Sequence, residues 1–252
     1  MIKRVTYQRE GSVAVIRMDD GKVNAMSPDM IAAVGSALDR AETEGVPVVL
    51  TGRSGVFSGG FDLSVMKSAG LDTLRMLRGG FELSARLLAF PYPVVVACNG
   101  HAIAMGAFLV LSADYRIGTD GDFALQANEV AIGLTLPRAA VEICRHRLTP
   151  GYFDRVALLS ESFDPRGAVA AGFLDRVVDE DVLLAEALEH AEGLTRLDMR
   201  AHARSKQRVR AGALRAIRKG LAADMRELTL LGARKLLSAR LAPASARWAR
   251  AR

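Results

Sequence analysis

The stretch from Pro93 to Leu136 constrains this chain more than any other. It reads PVVVACNGHAIAMGAFLVLSADYRIG, passes a short polar turn, and resumes as FALQANEVAIGL. Val94, Val95 and Val96 form a β-branched apolar run entered through Pro93, the pattern of a buried strand. Asn99-Gly100 breaks the strand, and Ala102 to Ser112 is small and apolar enough for a helix buried on most sides. A strand that passes through a glycine into a helix leaves backbone N–H groups pointing outward at the helix start. Those groups, backed by the helix dipole, suit a developing negative charge. Beyond the next strand one carboxylate, Glu129, lies among Val130, Ala131 and Ile132. An acid in apolar surroundings has its pKa pushed up toward the range useful for proton transfer. An anion-stabilising turn and a candidate base thus lie about thirty residues apart.

Half of the 252 residues are hydrophobic, enough for a large core in one domain with an appendage. The start, MIKRVTYQREG, has no apolar signal region, and no apolar run approaches the length of a membrane span. Cys98 and Cys144 are the only cysteines, and Cys98 ends the buried strand. We therefore expect two free thiols in a reducing cytoplasm and no membrane association. The net charge of +6 is unevenly placed: from Asp198 on, 15 Lys/Arg face three Asp/Glu, which leaves the first 197 residues at −6. This divides the chain into a core, 1–197, and a basic helical region, 198–252.

Val5-Thr-Tyr and Val13 to Met18 alternate around Gly11 and predict a β-hairpin. After the polar loop Asp19 to Ala25, Ser27-Pro28 opens a helix with Ser as N-cap and Pro at its first position. That helix carries Ile31, Val34, Leu38 and Ala41 on one face and stops at Gly45. Val46 to Thr51 predicts a strand, and GRSGVFSGGFDL a glycine-rich loop. Leu71 to Phe90 is helical in pattern although Gly79-Gly80 costs about 1 kcal/mol per residue against Ala. Strands separated by helices imply crossover connections and an α/β fold. Past Thr149-Pro150 the pattern is mostly helical, with a brief strand at Phe173–Val178 and with Gly193, Gly212, Gly220 and Gly232 as punctuation.

Taken in order, these segments resemble the crotonase (enoyl-CoA hydratase/isomerase) family. FSGGFDL resembles its F-x-A-G-A-D-L loop and ACNGHAIAMGAFLVLSADYRI its A-x-N-G-x-A-x-G-G-G loop. ANEVAIGL resembles the P-E-x-x-x-G-L segment, KVNAMS the x-x-N-A-L/M loop, and AVAAGFLDRVV the A-x-x-x-G-L-V-x-x-V-V stretch. The series covers roughly residues 5 to 180 and is specific as a series. The resemblance implies a spiral of ββα repeats with a helical C-terminal trimerisation region, assembled as a homotrimer or hexamer. It implies acyl-CoA thioester substrates and no cofactor beyond the coenzyme A they carry. It also implies an oxyanion hole made by the backbone N–H groups of Phe61 and Met105, each worth about 3–4 kcal/mol by analogy with other such donors. Glu129 matches the family's second catalytic glutamate. Lys22, Ala25, Gly60, Asp62 and Leu63 fall in loops that hold coenzyme A, and Gly106 and Phe108 beside the acyl group.

Two departures shape the reading. Met105 stands where the family has glycine, so its N–H serves only if the position avoids positive φ. Phe108 stands where hydratases place their other glutamate, leaving one acid. Water addition to an enoyl thioester is helped by two groups; moving a double bond from C3 to C2 needs one base, which takes a proton from C2 and returns it at C4. With Asn128-Glu129 and ADYRI, the pattern resembles the mitochondrial-type Δ3,Δ2-enoyl-CoA isomerases, which we favour. The alternatives are an enoyl-CoA hydratase and a non-catalytic acyl-CoA-binding protein. The basic tail has few aromatics and is read as a solvated helical face or a coenzyme A phosphate site rather than a nucleic-acid platform. Glu142 and His146 are read as a solvated helix face without metal, and His101 as lining or packing.

Overall fold

The computed structural model describes residues 4–68 and 70–241, with side chains to Leu231. Residues 242–252, which include Trp248 and the end of the basic region, lie outside the described residues. The expected hairpin pairs β1 (Val5–Glu10) with β2 (Val13–Met18), Val5 opposite Met18 and Glu10 opposite Val13. Helix α1 (Pro28–Glu44) begins where Ser27 accepts a bond from the Met30 N–H and ends at Gly45, whose φ of 71° a side chain would resist.

From there the chain winds as a spiral. Strands β3 (Val48–Thr51), β5 (Val94–Cys98), β7 (Tyr115–Thr119) and β9 (Arg176–Val178) extend the hairpin into one sheet, ordered β1-β2-β3-β5-β7-β9 and parallel beyond β2. Between them β4 (Gly55–Ser58), β6 (Gly100–Ile103) and β8 (Leu125–Gln126) form a second parallel sheet. The valine runs alternate between two apolar layers. Ala14, Ile16, Val48, Leu50, Val94 and Val96 enter the main core, whereas Val13, Val15, Val49, Val95 and Ile117 meet Leu183, Ala187 and Ala191 of α8 (Leu183–Leu194). A sheet covered on both faces explains runs that do not alternate in polarity.

Three expectations change. The stretch read as a glycine-rich loop contains β4, and the strand read as running into a helix first turns into β6. Asn99 makes that corner: its side-chain oxygen accepts from the Gly52 N–H at 3.1 Å and its carbonyl from the Gly55 N–H at 3.0 Å. The buried helix α4 therefore spans Met105–Leu111 rather than starting at Ala102. Helix α3 (Leu71–Ala89) runs unbroken through Gly79-Gly80. Likewise Gly212, Gly220 and Gly232, read as punctuation, are interior to one helix, α9 (Met199–Leu241). A Cβ on Gly220 would lie 3.0 Å from the Ala139 N atom, so glycine there lets α9 cross α5 (Arg138–Arg147) closely.

Helix α9 packs on α3 and α5 of its own body, burying Leu214, Ile217 and Leu221, whereas Leu228 and Leu231 stay exposed. Its cations are not all solvated, contrary to the expected basic face. Lys206 and Arg210 are 7% and 6% exposed. Lys206 Nζ lies 2.6 Å from Asp114 Oδ2 and Arg210 Nη2 2.9 Å from Oδ1, while the Val94 N–H donates to the same carboxylate at 2.7 Å. Among the described residues no helix is long and apolar enough to cross a membrane.

Candidate active site

The polar loop after β2 folds around one carboxylate. Asp20 accepts from the Lys22 and Asn24 N–H groups at 2.8 Å and from the Ala25 N–H at 3.0 Å. Burial pushes Asp20 up, but these backbone donors outweigh it and hold its pKa below the ordinary value. Asn24, at φ +50°, donates its side-chain amide to Met18, Val56 and Phe57 carbonyls, and its own carbonyl accepts from Ser58 Oγ at 2.8 Å. Two further backbone bonds, Gly59 N to Val23 O and Met26 N to Gly60 O, both 2.8 Å, fasten this loop along residues 58–61. The residues fastened to Gly59 and Gly60 are thus Val23 and Met26, the sequence neighbours of Lys22 and Ala25, and the exposed Lys22 accepts Arg53 on its carbonyl at 2.7 Å.

The next neighbour of that ribbon is the start of α4. Gly60 has φ +92°, and a Cβ on it would stand 2.9 Å from Ile103 O and 3.5 Å from Met105 N. Only glycine allows so close a backbone approach. Among the described residues neither the Phe61 N–H nor the Met105 N–H donates to a protein acceptor, and Met105, first in α4, has no intrahelical one. Two free N–H groups thus flank one point of contact. The residue with unusual backbone is not Met105 but Ala104, at φ +50° and ψ −118°. Met105 is therefore compatible with a side chain. Gly106 fits against the Ser58 carbonyl where a Cβ would clash, which gives it a packing reason.

The floor beneath these groups is aromatic. The Phe81 ring lies 6.0 Å from Phe61, edge-on, and 6.1 Å from Phe108. Phe108 and Met105 are fully buried.

Glu129 follows β8 and opens the single 3-10 turn Val130–Ile132. It is 8% exposed, and its Oε2 has no partner among the described residues. Loss of solvent pushes its pKa up to about 7. Ser160 holds the turn: its Oγ accepts from the Ala131 N–H at 3.2 Å and its carbonyl from Gln126 Nε2 at 2.6 Å. Ser160 also has positive φ, +49°. Asn24, Ala104 and Ser160 are the non-glycine residues with positive φ among those described: Asn24 bonds Ser58, Ala104 precedes Met105, and Ser160 bonds the turn after Glu129. Such strain persists where surroundings over-determine the backbone, and it gathers at functional sites. Beside the turn, Val130, Leu134, Leu136, Val141, Phe153 and Leu158 line an open groove of about 590 Å³.

Other expected residues have local duties. Asp62 accepts from the Ser64 N–H at 2.8 Å and Oγ at 2.6 Å at the start of α2 (Leu63–Ser68), and the Ser64 bonds hold its pKa low. Leu63 is 65% exposed. His101 accepts from the Ala124 N–H at 3.1 Å and meets Phe123 edge-on. Glu142 approaches Arg145 at 3.7 Å. His146 departs from the expected solvated face: it is half-buried, and burial, aided by Arg147, lowers its pKa to about 4. No group of three or more possible metal ligands occurs among the described residues. Sequence reasoning gave no role to Asp20, Ala104 and Ser160, and touched Asn24 only as the Asn of the KVNAMS resemblance; the Asp-Gly turn at 20–21 was a visible signal for Asp20, since such carboxylates bond the backbone ahead of them.

The Enoyl-CoA hydratase/isomerase family model matches residues 8–236. Enoyl-CoA delta isomerase 3 of Arabidopsis thaliana is 32% identical over 199 residues, covering 73% of this chain and 84% of the relative. The apo structure of an enoyl-CoA isomerase from Mycobacterium tuberculosis aligns with TM-score 0.85 and 48% identity, over 88% of this chain and 97% of the other. An enoyl-CoA hydratase from Mycobacterium marinum aligns with TM-score 0.83 and 48% identity, over 87% and 96%. This two-sheet spiral is an enzyme of the enoyl-CoA hydratase/isomerase, or crotonase, family.

Proposed function

We propose that the chain converts 3-enoyl-CoA thioesters to 2-enoyl-CoA thioesters in fatty-acid metabolism, with Glu129 as the single proton carrier. The observation that carries this reading is the pairing of a buried carboxylate of pKa about 7 with a fully buried Phe108 in place of a second acid. A base works best when its pKa lies near the operating pH. Glu129 removes a proton from C2, the electrons pass into the thioester carbonyl, and the Phe61 and Met105 N–H groups stabilise the enolate oxygen. The same carboxyl then delivers the proton to C4, and the double bond is left between C2 and C3. No other cofactor is needed, because every step is proton transfer.

Lys22, Ala25, Gly60, Asp62 and Leu63 border the coenzyme A moiety in this reading, and Gly106 and Phe108 the acyl group. The subunits assemble as a trimer or a pair of trimers. The test is turnover of 3-enoyl-CoA and 2-enoyl-CoA by one purified preparation. Faster use of the 3-enoyl substrate, lost in Glu129→Gln, supports the isomerase. Faster water addition to the 2-enoyl substrate would support the name carried by the M. marinum relative.

A further inference from the structure

Helix α3 keeps two adjacent glycines in its interior, where alanine would be favoured by about 1 kcal/mol each, and the structure gives them different neighbours. A Cβ on Gly79 would meet Ile31, 3.3 Å away at the nearest atom. A Cβ on Gly80 would stand 2.5 Å from Phe61 Cε1, 2.7 Å from Phe61 Cζ and 3.2 Å from Met105 Sδ. The side chains of the two residues with free N–H groups therefore converge on one missing side chain. Phe81, next in sequence, meets the Phe61 ring edge-on at 6.0 Å. The Phe61 backbone is held on both sides: a Cβ on Gly60 would stand only 2.9 Å from Ile103 O and 3.0 Å from Ala104 Cβ, and Met26 bridges to Phe61.

We infer that Gly80 is a positioning residue for the anion-binding pair: its bare Cα is the seat that fixes the Phe61 ring and the Met105 thioether together, and through them the two backbone donors. This rests on reading Phe61 and Met105 as oxyanion donors. Gly80 touches no substrate; it acts through what it leaves empty. A misplacement of about 1 Å in a catalytic constellation costs up to about 100-fold in rate, and a first methyl at Gly80 forces a ring shift of that order.

The experiment compares kcat and KM for 3-enoyl-CoA and 2-enoyl-CoA, with thermal melts, across wild type, Gly79→Ala, Gly80→Ala, Phe61→Leu and Gly80→Ala with Phe61→Leu. Gly80→Ala should lower kcat roughly 10- to 100-fold with KM within about twofold, because ground-state binding is spared. Gly79→Ala, which changes the same helix one residue away, should keep the wild-type kcat. The double variant should match Phe61→Leu, since leucine lacks the ring atoms that occupy the seat. If Gly80→Ala fails to fold, a folded, active double variant carries the same conclusion. An active wild type in which Gly80→Ala behaves as Gly79→Ala overturns the seat alone. So does a rise in KM at unchanged kcat, or a double variant no better than Gly80→Ala. A wild type inactive on both substrates overturns the donor reading, and this inference with it.

Discussion

The Phe108 ring lies 6.1 Å from that of Phe81 with an interplanar angle of 31°, and both are buried. A tilted pair of this kind adds about 0.5–1.5 kcal/mol beyond its buried area. It also fixes an apolar side chain at the position where the resemblance to hydratases implies an acid. Phe108→Glu should therefore raise water addition to 2-enoyl-CoA while lowering stability by several kcal/mol, as an aromatic is lost and a carboxyl is buried. A folded variant with an unchanged hydration rate would refute the two-acid argument.

Glu129→Gln keeps the shape of the side chain but cannot accept a proton. Turnover of 3-enoyl-CoA should fall by about 10²–10⁴-fold, and acyl-CoA affinity measured by calorimetry should stay near the wild-type value. In the wild type the rate should climb with pH through about 7 as the carboxyl ionises.

The same group sets a stability signature. The folded pKa of Glu129 lies near 7, above its ordinary 4.5. The folded state therefore binds more protons than the unfolded chain between those values, and this group removes stability as pH rises from 4.5 to 7. At pH 8 the Gln variant should be more stable than wild type by up to about 3 kcal/mol. That difference should vanish toward pH 4.5, as followed by urea unfolding at each pH.

Ala104 at φ +50° and ψ −118° carries a backbone that glycine would adopt freely. Relief of about 1–3 kcal/mol of strain exceeds the added chain entropy of about 0.4–1 kcal/mol. Ala104→Gly should raise the melting temperature by about 2–4 °C per kcal/mol gained, with turnover retained because the Met105 N–H keeps its position. A lower melting temperature would show that the Ala104 methyl contributes packing worth more than its strain costs.

Sedimentation at micromolar concentration should give a trimer or a multiple of one, with the region after Asp198 at the contact. Among the described residues of α9, Val209, Leu228, Leu230 and Leu231 are large apolar groups left exposed to meet a neighbour. A monomer would refute this expectation.

The repeating strand pattern and the capped α1 could be read directly because each rests on neighbours in sequence: Ser27 reaches Met30, and Gly45 closes the turn it ends. The order of the site motifs was equally plain. The corner at Asn99 was not, since its partners Gly52 and Gly55 lie more than forty residues earlier. Gly79 and Gly80 read as a weakness of a helix and proved to be a contact surface, because the ring that fills the gap comes from Phe61. The basic tail read as solvated because nothing in residues 198–231 announces a carboxylate at Asp114.

That carboxylate also fixes when the body can be finished. Asp114 is made 92 residues before Lys206, which at typical rates of synthesis is a delay of roughly 5–20 s. Until α9 has emerged, the ends of β5 and β7 hold a negative charge whose two counterions do not yet exist. A chain that ends before residue 206 thus lacks both side chains that pair with Asp114, and the junction of β5 and β7 gains its two ion pairs only when α9 docks.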